Sequence, residues 1–69
     1  MTDVNRLKEV VRDSGLKKVY IAERLGITYQ GYLKKENGEN EFMASEIKTM
    51  QELLGLSAKD TRDIFLSRG

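Results

Sequence analysis

The chain has 69 residues and a net charge of +1, a third of its residues are charged, and it contains no cysteine, histidine or proline. That length allows one domain with a small core. The missing residue types exclude disulfides, thiolate nucleophiles, the usual proton shuttle and the soft ligands of zinc, copper or iron–sulfur sites, so no metal or cofactor is expected.

Apolar residues recur at helical rather than alternating spacing, which predicts five short helices and no strands. The first runs from about Asp3 to Ser14, with Thr2 as its N-cap and Val4, Leu7, Val10 and Val11 in one stripe. Gly15 stops it. The second covers about Lys18 to Leu25, with Ile21, Ala22 and Leu25 inward and Gly26 in the following turn. Thr28 has a hydroxyl suited to capping the third helix, Thr28 to Glu36, which ends before Gly38.

The fourth helix, about Ala44 to Leu54, puts Ile47, Met50, Leu53 and Leu54 on one side and breaks at Gly55. Ser57 followed three residues later by Asp60 reads as an imperfect capping box opening the fifth, whose Ile64 and Phe65 face the core. Helices this short are not stable singly, so packing between them must hold the fold. A single all-α domain over residues 1–69, a compact five-helix bundle, follows. The longest apolar run is the four residues "VYIA" (Val19 to Ala22), so a membrane span is not expected.

Charge is unevenly spread. Residues 1–16 are balanced, residues 17–35 carry five cations against Glu23 alone for a net +4, and residues 36–69 carry a net −3. Lys17 and Lys18 open the second helix without an evident cap, where cations oppose the helix dipole unless an anion sits between them. Gly31 lies in the middle of the third helix at a cost of about 1 kcal/mol relative to alanine. From an outward position it lets another backbone approach closely. Val19 and Tyr20 are more apolar than an outer helix face normally is, and are read as filling a core edge in preference to forming a partner patch.

The spacing of Ala22, Gly26, Ile27 and Tyr32 fits a helix-turn-helix. A small residue sits where two helices approach, a glycine takes the turn, and two apolar pins hold the third helix to the core. At "IAERLGI" (Ile21 to Ile27), "ENG" (Glu36 to Gly38) and "EIKTMQELLGLS…DIF" (Glu46 to Phe65) the chain resembles the Cro and phage-repressor (XRE-type) helix-turn-helix family over nearly its whole length. Two positions depart from that pattern. Lys35 stands where a hydrophobic anchor is usual, and Lys17 where a Ser or Thr usually caps the second helix.

The resemblance implies a lambda-repressor-like DNA-binding domain and a sequence-specific transcriptional regulator of phage or prophage type, in the cytoplasm or nucleoid of a bacterial or phage-infected cell. Its third helix would enter the major groove of double-stranded DNA. Family positions carried over make Thr28, Tyr29, Gln30, Leu33 and Lys34 the base-contacting set. Gln30 suits adenine N6 and N7, and Lys34 suits guanine O6 and N7 or a phosphate. Tyr29 suits a thymine methyl or a phosphate, and Leu33 suits a methyl. Lys17, Lys18, Lys35 and Asn37 are the expected phosphate contacts. A homodimer on a near-palindromic site is expected, with half-site centres about 34 Å apart.

The rival reading is a protein-interaction module on the same fold, an antirepressor or antitoxin binding a partner repressor or toxin, which the near-neutral net charge suits. Catalysis is not expected. The carboxylates, Asp60 and Asp63 among them, read as solvated helix faces, and no glycine-rich phosphate loop is present.

Overall fold

A computed structural model describes residues 1–68 and contains five α-helices, with no strand among the described residues: α1 (Val4–Ser14), α2 (Lys18–Leu25), α3 (Tyr29–Glu36), α4 (Ala44–Leu54) and α5 (Ala58–Phe65). Local chemistry sets each boundary. Asp3, not Thr2, caps α1: its carboxylate accepts from the Arg6 N–H at 3.2 Å, and its own N–H donates to the Ile64 carbonyl at 2.7 Å. Tying the start of α1 to the end of α5 in this way draws Thr2 inward, where its hydroxyl is buried without a hydrogen-bond partner.

Thr28 caps α3, its hydroxyl oxygen accepting from the Gly31 N–H at 3.0 Å. Ser57 caps α5 in the same manner through the Asp60 N–H. The capping box expected there does not close, because the Asp60 carboxylate turns away to accept from Arg6 at 3.2 Å and joins α5 to α1. Gly26 takes a φ of 73° after α2, the left-handed conformation that glycine enters without a β-carbon clash.

The core collects Leu7 and Val11 from α1, Ile21 and Ala22 from α2, Tyr32 from α3, Met50 from α4, and Ile64 and Phe65 from α5. Val4, expected in the α1 stripe, is half-buried against the chain beyond α3, where a β-carbon on Gly38 would lie 3.1 Å from its Cγ2. Phe42 joins the core from the loop between α3 and α4. Its ring meets Phe65 edge-on at 5.2 Å between centroids and Tyr32 at 6.4 Å. One loop aromatic therefore ties α3 to α5, and the direction of α3 depends on a residue outside any helix.

Val19 and Tyr20 do not fill a core edge. Both are exposed on α2. No helix of the described residues is long and apolar enough to cross a membrane.

Candidate nucleic-acid interface

The third helix is held by its inward residues and presents the others. Tyr32 is fully buried, and its hydroxyl donates to Glu36 Oε2 at 2.7 Å, one helical turn further on. Glu36 is itself only 1% exposed, and its second oxygen accepts from Lys18 Nζ of α2 at 2.7 Å. Burial, reinforced by the hydrogen bond to Glu36 and by that carboxylate's charge, pushes the Tyr32 hydroxyl well above the ordinary tyrosine range. This triad joins α2 to α3 through a polar contact inside the domain.

These contacts add to the sequence reading at two positions. Glu36 as well as Lys35 turns inward near the end of α3, and both are charged residues held in ion pairs. Lys18 remains 39% exposed at its side chain, and its ammonium donates to Glu36, which leaves Lys17 the less engaged of the two lysines that open α2.

Lys35 is corrected more fully. Its side chain is only 14% exposed and its ammonium donates to Glu46 Oε1, which also accepts from the Met43 N–H at 2.7 Å. Glu46 thus caps α4 and anchors α3 at once. Burial alone would raise the Glu46 carboxyl; the hydrogen bonds from Lys35 and Met43, with the charge of Lys35, hold it below the usual carboxylate range instead. Lys35 is a link between α3 and α4, and its ammonium is engaged by Glu46 where a phosphate contact was expected.

The remaining predicted residues sit as follows. Tyr29 opens α3 and is 43% exposed. Gln30 and Lys34 are exposed, and their side chains make no hydrogen bond or ion pair among the described residues. Thr28 is exposed; its oxygen is engaged by the cap and its proton is free to donate. Leu33 is half-buried against the core, so its main contact is internal and only its outer edge is presented. Asn37 follows α3 as its exposed C-cap, with its N–H on the Leu33 carbonyl at 3.0 Å. Lys17 is exposed at the start of α2 with no side-chain partner among the described residues, and so is Arg24 in its last turn.

Gly31 has a local explanation alongside the one expected. A β-carbon there would stand 3.1 Å from the Thr28 hydroxyl oxygen, crowding the cap that starts the helix. Sequence reasoning missed Glu36 and Glu46 as partners. For Glu36 a signal was present: it lies four residues after Tyr32, on the same helical face as a residue expected to be buried.

Lys17, Lys18, Val19 and Tyr29 line a groove of about 450 Å³ between the starts of α2 and α3. No group of three or more His, Cys, Asp or Glu residues placed to hold a metal ion occurs among the described residues. No family model, curated protein or solved structure matches this chain.

Proposed function

We propose that the chain is a sequence-specific DNA-binding transcriptional regulator in which α2 and α3 act as a helix-turn-helix, with α3 lying in the major groove. The observation that carries this reading is the outward side of α3. Gln30 and Lys34 are exposed and lack intramolecular partners, Tyr29 is exposed beside them in sequence, and the same helix is fixed from within by Tyr32, Lys35 and Glu36. A rigid helix with uncommitted donors and acceptors is what base readout requires. Gln30 pairs with an adenine edge, and Lys34 with a guanine edge or a phosphate. Lys17 and Arg24 supply sequence-independent attraction. A homodimer on a near-palindromic site supplies the interface area that one small domain lacks.

Binding to random and selected duplexes across a series of salt concentrations tests the proposal. Three uncommitted cations of α2 and α3 and the turn before them, Lys17, Arg24 and Lys34, give a slope of log K against log salt of about −2.7 per protomer, not the about −4.5 expected were Lys18 and Lys35 also to neutralise phosphates. Gln30→Ala relaxes preference at one base position, and Lys17→Ala weakens all sequences alike. Absence of any salt-dependent duplex binding refutes the proposal.

A further inference from the structure

The groove between the starts of α2 and α3 has a chemistry that DNA alone does not match. One wall is Val19, 57% exposed, and another is Tyr29, while Lys17 and Lys18 stand on its rim. Lys17 has no partner among the described residues, and Lys18 gives one of its three N–H donors to Glu36. Unpaired donors at the N-terminal end of α2 add to the preference for negative charge. A phosphate would satisfy the ammonium groups and leave the Val19 wall facing a hydrated strand. An apolar side chain bordered by carboxylates satisfies both.

We propose that this groove docks an acidic amphipathic peptide segment of another protein, which inserts an apolar side chain between Val19 and Tyr29 and sets its carboxylates against Lys17 and Lys18. Apolar anchors within a charged rim are the usual anatomy of helix-in-groove recognition. A second copy of this chain is a poorer occupant. Groove against groove across a two-fold axis would set Lys17 and Lys18 of each copy against those of the other, and like charges so juxtaposed disfavour the contact. Because Tyr29 and Lys17 also belong to the proposed DNA face, the peptide and DNA exclude one another; that exclusion rests on the DNA reading, whereas docking does not.

The test is selection of a displayed library of helical peptides against the full chain, with counter-selection against Val19→Asp. Val19 is exposed, so the variant keeps the fold, as far-ultraviolet circular dichroism will verify. Enriched peptides should carry an apolar residue flanked by Asp or Glu, perturb the amide resonances of residues 17–19 and 29, and bind Lys17→Glu about tenfold more weakly, the equivalent of about 1.4 kcal/mol. No enrichment, enrichment of basic or uncharged peptides, equal binding to Val19→Asp, or perturbation centred elsewhere overturns the proposal. So does concentration-dependent self-association abolished by Val19→Asp, which would assign the groove to a second copy.

A selected peptide is then added to a complex with duplex DNA. Displacement supports exclusion, and simultaneous binding overturns it. If the duplex fails to bind even without peptide, the DNA reading fails while peptide docking stands on the selection result.

Discussion

Replacing Lys18 with methionine removes the ammonium from Glu36 Oε1 and leaves a carboxylate that is 1% exposed with the Tyr32 hydroxyl as its remaining side-chain partner. Breaking a fully buried ion pair costs about 3–5 kcal/mol. Because Lys18 is itself 39% exposed, water can reach that side of the pair, and the expected loss is discounted to about 2–3 kcal/mol. A domain of this length has a total stability of about 3–10 kcal/mol, so the single variant sits near the edge of folding. With a urea m-value of about 1 kcal/mol/M, the midpoint should fall by about 2–3 M.

The triple variant Lys18→Met/Tyr32→Phe/Glu36→Met removes every polar member of the triad and orphans none. It should return to within about 1 kcal/mol of the parent, since well-packed apolar replacements of buried ion pairs are often neutral. Urea unfolding followed by circular dichroism measures all three proteins. A loss below about 0.5 kcal/mol in the single variant would put Lys18–Glu36 among ordinary surface pairs and refute the argument. The triple variant also separates structure from recognition. If Lys18 only supports α3, the salt slope of DNA binding is unchanged; a slope shallower by about 0.9 would give Lys18 a phosphate after all.

Two further outcomes follow from single buried groups. Thr2→Val replaces a buried hydroxyl that lacks a partner with a methyl group of similar shape, and should raise the urea midpoint, with about 1 kcal/mol or more gained at a site where an unsatisfied group costs about 1–3 kcal/mol. The Glu46 carboxyl is held below its unfolded-state range, so its contribution is present above the unfolded pKa of about 4.3 and is lost as pH falls through the lower folded value. Glu46→Gln should therefore flatten the acid limb of the stability–pH curve below about pH 4.5; an unchanged acid limb would show that the Lys35 and Met43 contacts contribute nothing there.

The helices were legible because their punctuation is local. Glycine at 15, 26 and 55 and hydroxyl caps at Thr28 and Ser57 act through residues three or four positions away, and their effects survive into the fold. Thr2 and Asp3 illustrate the limit of that reasoning. Both can cap, and the choice was made by a hydrogen bond to Ile64, at the far end of the chain. Phe42 lies in a loop without periodicity, so nothing nearby marked it as core.

At the candidate site the outward set of α3 came from the family resemblance, which matches the exposure of Thr28, Tyr29, Gln30 and Lys34 but not that of Leu33, and the pairing of charges was not legible. The excess of cations over residues 17–35 is partly cancelled through space by Glu36 and Glu46, carboxylates that follow that segment in the chain. A running sum along the sequence counts charges by order, and the field at a surface depends on which of them meet.

The clamping of α3 has a consequence for how such a protein can diverge. Its attitude is fixed by Tyr32, Lys35, Glu36 and Phe42, whereas Tyr29, Gln30 and Lys34 take no part in those contacts. Attachment and display are thus assigned to separate side chains on one short rod. Mutation can change the displayed side chains one at a time while the mount keeps its angle, so this surface can vary without first dismantling the fold.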